Sequence, residues 1–318
     1  MIVSGSASQS LAAALAAHTG EALAAVSVQS FPDGELLAAA PGFSGDRATV
    51  VAATTDSDAH LELLQLQDAV REAGASEVVT VLPYMGYARQ DDAYAPGEGT
   101  TAGYPISARA VARAVSTGTD RVVLVNPHET AVADFFDVPV ATVDASPRLA
   151  APLPEDLRDP LFLAPDAGAT DLAAGVRDAY GRGETDHFEK TRRSGSEVDI
   201  APSDAAVADR DAVVVDDIIA TGSTTSESAD VLDDRGAART FVACVHAVLA
   251  GSARTKLARA GVEAVYATDT MERAESEVSV APAVAAELRE IGDGYEEEWN
   301  VEGVTMRFTV KPLAGPPA

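Results

Sequence analysis

The stretch VVVDDIIATGSTT, residues 213–225, decides how this chain is read. Its β-branched run marks a strand buried on both faces, and the residues from Thr224 onward have the composition of a helix. Between them stand Asp216, Asp217 and a Thr-Gly-Ser-Thr turn. Amide N–H groups at a helix start, with hydroxyls beside them, make a seat for a phosphate, and Gly222 lets the backbone approach it closely. The two carboxylates would repel a phosphate in contact with them. They make sense a few ångströms away, accepting hydrogen bonds from the vicinal hydroxyls of a sugar or holding Mg²⁺. A sugar with a terminal phosphate satisfies both halves of the motif. Without the preceding strand and carboxylates, the same turn would be no more than a helix cap.

Outward from this motif, short β-branched runs alternate with Ala/Leu-rich amphipathic stretches. That alternation predicts an α/β fold with a mostly parallel sheet flanked by helices. Strands are expected over residues 49–53, 77–82, 121–125, 161–164, 212–215, 239–245 and 264–267. Helices are expected over 8–19, 60–73, 105–116, 170–180, 224–235 and 253–260. Five of the strands end in polar clusters: PYMGYARQDD, NPHET, APDAG, DDIIATGST and VHAVLAG. Open α/β sheets place ligands at the carboxyl ends of their strands, so these clusters are the candidate sites. The Pro-rich stretch 145–160 separates two halves with a similar order of elements. Residues 292–318, with the lone tryptophan Trp299 and an acidic run, read as an appended hairpin or tail.

Composition excludes several functions. The chain has 318 residues, 50 acidic against 23 basic side chains, and a formal net charge of −27. A general nucleic-acid binder needs a basic surface, and this one is acidic. No apolar run reaches the roughly 18–20 residues that cross a bilayer. The start MIVSGSASQS lacks the basic region of a signal peptide, and a lone cysteine, Cys244, fits a reducing compartment; a cytoplasmic location is expected. Only Lys190, Lys256 and Lys311 are lysines. Acid enrichment with lysine depletion suits solubility in concentrated salt, although a GC-rich genome would also favour such a composition. A lysine that remains is a candidate for a specific task.

The residues 213–225 resemble the ribose 5-phosphate loop of the type I phosphoribosyltransferase fold. FPDGE (31–35), PYMGYARQD (83–91), NPH (126–128) with FFDVP (135–139), PDAG (165–168) and KTR (190–192) occur in the order and spacing of ribose-phosphate pyrophosphokinases, in a form like that of salt-adapted archaea. The similarity runs over about residues 1–290. It implies two tandem type I phosphoribosyltransferase-like domains, 1–144 with the ATP and Mg²⁺ elements and 145–290 with the ribose 5-phosphate loop and a flexible catalytic loop, followed by a tail over 291–318. The implied reaction moves the diphosphoryl group of ATP to the 1-hydroxyl of ribose 5-phosphate, giving 5-phosphoribosyl 1-pyrophosphate and AMP.

The resemblance also assigns roles. Asp33, Gly34 and Glu35 bind ATP by reaching into a neighbouring subunit, and Arg89 and Gln90 bind it within the chain. His128 and Asp166 serve the Mg²⁺ site. Asp216, Asp217, Ala220, Thr221, Gly222, Ser223, Thr224 and Thr225 bind ribose 5-phosphate together with Arg192, and Lys190 and Arg192 are catalytic. His246 matches a family position, and His187 lies near the catalytic loop. A homo-oligomer, dimer or hexamer, is implied. Two residues depart from the pattern: Ala220 stands where bacterial members often have Asp, and Asn126 replaces a commonly acidic residue. The stretch 97–104 is longer than usual. A non-catalytic regulatory paralogue would have lost the catalytic loop, and a nucleobase phosphoribosyltransferase would lack the ATP elements of the first half.

Overall fold

The computed structural model describes residues 1–93, 101, 103–194, 197–202, 205–293, 295–301 and 304–310, with side chains outside 190–201 and 293–310. The longer-than-usual stretch 97–104 lies mostly outside the described residues.

The first half contains β1 (Ile2–Ser4), α1 (Gln9–Thr19), β2 (Ser27–Ser30), β3 (Leu36–Ala39), β4 (Arg47–Val51), α2 (Ser57–Glu72), β5 (Glu77–Leu82), α3 (Ser107–Ser116), β6 (Arg121–Val125) and β7 (Val140–Val143). Five of these strands form a wholly parallel sheet in the order β1-β4-β5-β6-β7. Helices α1, α2 and α3 lie between its strands in sequence, as crossover connections between parallel strands require. Strands β2 and β3 pair only with each other, as an antiparallel hairpin.

The second half contains β8 (Leu161–Ala164), α4 (Thr170–Tyr180), β9 (Glu184–Ser194), β10 (Glu197–Pro202), β11 (Asp211–Ile219), α5 (Ser223–Asp234), β12 (Arg239–Ala247), α6 (Ala253–Arg259), β13 (Val262–Thr268), β14 (Ser276–Val278) and α7 (Ala281–Asp293). Its sheet runs β10-β9-β8-β11-β12-β13-β14, and every pairing is parallel except β10 with β9. Central β11 and β12 are apolar and buried along most of their length, as strands covered on both faces must be. The expected α/β fold with mostly parallel sheets is the one found.

The two sheets are not independent. One core joins Ile2, Leu11, Leu15 and Val81 of the first half to Phe162, Val213 and Phe241 of the second. Helix α7, which the sequence reading missed, packs against α1 and brings Val284, Ala285 and Leu288 into that core. The Pro-rich connection 145–160 belongs to it as well, through Leu149, Leu153 and Leu157. After α7, β15 (Tyr295–Val301) and β16 (Val304–Val310) pair with each other as a hairpin.

Two expectations are corrected. The strand expected to stop at residue 215 continues to Ile219, so Asp216 and Asp217 lie within β11 rather than after it. Pairing of Asp216 with Cys244 and Ile218 with His246 on β12 holds the backbone extended beyond the apolar run. The expected loop around Lys190 is instead a hairpin, because β9 finds a parallel partner in β8 and an antiparallel one in β10.

Candidate active site

Parallel sheets present strand ends together, and here strand ends from both sheets meet. The segment after β6 brings His128 against β11: its Nδ1 lies 2.7 Å from Oδ2 of Asp217. Asp217 donates its own N–H to Oδ1 of Asp216 at 2.9 Å. Beside this contact opens a cleft of ≈ 630 Å³, lined by His128, Glu129, Asp166, Asp171, Asp216 and Asp217 among others. A smaller cavity of ≈ 10 Å³, the size of a single water, adjoins it at His128 and takes in Tyr84, Met85, Ala88, Ile218 and His246. All five polar clusters picked out at strand ends therefore contribute to this one region.

The charges in the cleft sort themselves. Burial, and then the charge of Asp217, push the Asp216 carboxyl well above the usual carboxylate range. Burial also acts to raise Asp217, but its hydrogen bonds with His128 and Asp216, with the imidazole charge, outweigh it and hold it low. His128 is raised, first by that hydrogen bond, with burial and the nearby Arg89 charge opposing. Asp216 thus prefers to be neutral beside an Asp217–His128 ion pair.

Two further residues hold His128 in place, and sequence reasoning did not assign them roles. Fully buried His246 on β12 donates from Nε2 to the backbone carbonyl of Asn126 at 3.0 Å and meets Thr270 Oγ1 through Nδ1 at 2.9 Å. Burial lowers its pKa, in keeping with a neutral ring that accepts from Thr270. Asn126 adopts φ +38°, a conformation that Asn tolerates better than most residues. Its amide nitrogen donates to Asp144 Oδ1 at 2.8 Å, and its carbonyl oxygen accepts from the Ala145 N–H at 2.7 Å. A carboxylate at this position has no donor for Asp144. The departure to Asn therefore serves the turn that aims His128.

The loop 221–225 follows β11 directly. Gly222 has φ +68° and forms the N-terminal boundary of α5. Thr221 and Ser223 place their hydroxyls 3.3 Å apart, Thr224 is exposed and Thr225 is buried. Ala220 is half-buried, and its carbonyl accepts from the N–H of Ala250. Lys256, on α6, puts Nζ 2.7 Å from Ser223 Oγ. The only sequence signal for this lysine was its rarity.

The expected ATP residues do not line the cleft itself. Arg89 and Gln90 are exposed on the loop after β5. Gly86 anchors that loop: its N–H donates to Thr54 Oγ1 at 2.9 Å, and a Cβ there would sit 2.2 Å from the Thr54 carbonyl. Gln90 is tied to α3 through Ser107 Oγ at 2.7 Å. Asp33, Gly34 and Glu35 form the exposed tip of the β2–β3 hairpin, where Glu35 N–H donates to Asp33 Oδ1 at 3.1 Å. None of these five lines the acidic cleft. Lys190 and Arg192 fall on β9, and their side chains lie outside the described residues.

Among the described residues, no group of three or more His, Cys, Asp or Glu side chains converges to hold a metal ion. The donor chemistry nevertheless suits a cation that keeps waters and binds mainly through phosphates. Asp217 occupies Nδ1 of His128, so Nε2 can serve a cation only once the imidazolium has given up the proton there, which leaves the usual arrangement of a metal-facing imidazole. Exposed Asp166 uses Oδ1 to cap Gly168 N–H at 2.9 Å. Among the described residues, no helix is long and apolar enough to cross a membrane.

Comparison with known proteins agrees with this geometry. Residues 1–118 match the sequence model of the N-terminal domain of ribose phosphate pyrophosphokinase, and residues 203–283 match that of the phosphoribosyl synthetase-associated domain. A ribose-phosphate pyrophosphokinase of Halobacterium salinarum is 66% identical over 289 residues, 91% of this chain and 100% of the relative. One from Methanosarcina acetivorans is 41% identical over 293 residues, covering 91% of this chain and 99% of the relative. The crystal structure of phosphoribosylpyrophosphate synthetase from Mycobacterium smegmatis superposes with a TM-score of 0.75 at 27% identity, covering 92% of this chain and 98% of that one.

Proposed function

We propose a division of labour within the site of a chain that belongs to the ribose-phosphate pyrophosphokinase family. The enzyme transfers the diphosphoryl group of ATP to the 1-hydroxyl of ribose 5-phosphate, giving 5-phosphoribosyl 1-pyrophosphate and AMP. The observation that carries this is the 66% identity across the full length of a relative of that name. Its composition also fits the salt-loving organism from which that relative comes.

In our reading the loop 221–225 takes the 5-phosphate on its N–H and hydroxyl groups. Asp216 and Asp217 take the ribose hydroxyls; a protonated Asp216 can donate to one of them as well as accept. The anomeric oxygen then attacks the β-phosphorus in line, a new P–O bond forms there, and the bond to the AMP oxygen breaks. Such a transfer needs positioning and charge neutralisation rather than covalent help from the protein. Lys190 and Arg192, on the β9–β10 hairpin, supply positive charge to the phosphates in transit. Arg89 and Gln90 hold ATP, their loop being fixed by Gly86 and Ser107.

Enzymes of the family generally depend on Mg²⁺, and His128 through Nε2, with Asp166, would hold it at the cleft. Bound there, the ion neutralises phosphate charge and polarises the phosphorus under attack. A cleft lined by so many carboxylates would repel free polyphosphate, a repulsion that a cation held by His128 and Asp166 would offset.

We further assign Asp33, Gly34 and Glu35 to the site of a neighbouring copy. They sit on a hairpin whose Val28, Phe31 and Leu37 are exposed, at 43%, 39% and 48%. Apolar exposure of this kind suits burial against another subunit. The direct test is to incubate purified protein with ribose 5-phosphate, MgATP and high KCl and identify the products. AMP with phosphoribosyl pyrophosphate is expected. No turnover, or turnover only with a nucleobase and phosphoribosyl pyrophosphate, overturns the reading.

A further inference from the structure

The segment that follows β12 meets the end of β11 and the start of the 221–225 loop at four successive points. Leu249 N–H donates to the Ile219 carbonyl at 2.9 Å, and Ala250 N–H to the Ala220 carbonyl at 2.8 Å. Leu249 adopts φ +45° at this clamp. A Cβ on Gly222 would lie 3.4 Å from Ala253, so α6 rests directly on the loop's glycine. One turn further on, Lys256 places Nζ 2.7 Å from Ser223 Oγ. A cation is thus built into the fold beside the hydroxyl that opens α5.

Its chemistry is not that of a surface salt bridge. In a chain with 50 carboxylates, none among the described residues pairs with this ammonium. An ammonium has three protons and no acceptor, and Ser223 takes one of them. Because Ser223 Oγ accepts from the lysine, its own proton points away, towards Thr221 Oγ1 or towards an anion. Lys256 therefore supplies charge and also turns Ser223 into a donor. Residues 216–226 themselves contain no basic side chain.

We propose that Lys256 is the fixed counter-charge for the 5-phosphate, binding it with Ser223 and making the site select a phosphorylated pentose over the free sugar. This rests on the reading of residues 221–225 as the 5-phosphate seat. Lysine suits the position because a compact ammonium on a flexible stem can bridge a hydroxyl and a phosphate oxygen at once.

The test compares Lys256→Met, which keeps the apolar stem, with Lys256→Arg, Ser223→Ala and Thr224→Val. A charged hydrogen bond of ordinary strength predicts that Lys256→Met raises KM for ribose 5-phosphate roughly 10–100-fold. KM for ATP stays within about twofold, and Lys256→Arg recovers most of the loss. An unchanged KM for ribose 5-phosphate in Lys256→Met, or an equal loss for both substrates, overturns the proposal. If Ser223→Ala and Thr224→Val raise that KM while Lys256→Met does not, the loop reading survives and the lysine assignment fails. If no variant moves it, the loop reading itself fails. A measurement on the unmodified enzyme guards against a variant that does not fold. Acylation of Lys256, followed by mass spectrometry, should be slowed by ribose 5-phosphate and not by ribose; labelling indifferent to ribose 5-phosphate overturns the proposal.

Discussion

His128 and Asp217 meet at 2.7 Å although they belong to different sheets, one after β6 and the other within β11. The contact holds the imidazole so that one nitrogen is occupied and the other faces the cleft. Asp217→Asn removes the charge that favours this orientation and leaves a weaker acceptor. Loss of such a supporting carboxylate costs about 10–100-fold in metal affinity or activity. The Mg²⁺ concentration giving half-maximal rate should rise by that factor, with KM for ribose 5-phosphate changing less. A Mg²⁺ titration of initial rates checks this, and an unaltered titration would count against the assignment.

Lys190→Ala tests the hairpin. A cation acting on phosphates in the transition state is worth on the order of 10²–10³ in kcat. Lys190 lies on β9 and a charged lysine is rarely part of a core, so the melting temperature should hardly move. Steady-state rates and a thermal melt on the same preparation read both effects. A fully active variant defeats the catalytic assignment.

Gly86→Ala tests how the ATP loop is held. The added methyl would sit 2.2 Å from the Thr54 carbonyl and 3.0 Å from His60 Nε2. Thr54 cannot yield easily, because it is bound on both sides, its N–H to Tyr84 and its hydroxyl to Gly86 N–H. Overpacking of this kind costs about 1–3 kcal/mol and displaces the backbone. Since Arg89 and Gln90 follow within the same loop, KM for ATP should rise several-fold while that for ribose 5-phosphate stays near normal. Substrate-by-substrate kinetics decide the matter.

What was legible in the sequence divides along physical lines. Strands 77–82, 121–125 and 161–164 match at both ends because each is a run of residues that only a covered strand accommodates. The end of β11 was misplaced because aspartates are poor strand formers, and pairing to β12 overrides that preference. β9 was read as a loop for a similar reason: ETDHFEKTRRS has little apolar alternation, and its strand is imposed by β8 and β10. Of the site, His128, Asp166, Asp216 and Asp217 were found by motif and do line one cleft. His246, Asn126 and Lys256 act through contacts 120 residues or 33 residues apart, which no local pattern encodes.

Charge sets the working conditions. At a formal charge of −27 the folded chain repels itself, and only ions shorten the range of that repulsion. The screening length falls from about 10 Å at 0.1 M salt to about 3 Å at 1 M. Raising KCl from 0.1 to 2 M should therefore raise the melting temperature, and dialysis to low salt should loosen the fold. Circular dichroism across a KCl series measures it; a melting temperature independent of KCl would contradict the haloadapted reading.

The last prediction concerns acid. Asp211, 1% exposed at the start of β11, accepts from Arg239 Nη2 at 2.6 Å and from the Arg158 N–H. Burial pushes its carboxyl upward, but these donors outweigh it and hold the pKa below the ordinary 3.8. As pH falls, the unfolded chain therefore takes up this proton before the folded one does. The stability that Asp211 contributes is complete above about pH 4–5 and is lost as pH drops through the folded-state value. Asp211→Ala takes the short-range acceptor from a guanidinium that keeps only the longer contacts to Asp156, and from a part-buried N–H, and should cost roughly 1–3 kcal/mol near neutrality. That deficit must shrink as the medium is acidified, because the wild type loses there what the variant never had. Melting temperatures of both proteins between pH 2 and 7 should converge at the acid end, and parallel curves would show that Asp211 stabilises by packing rather than by charge.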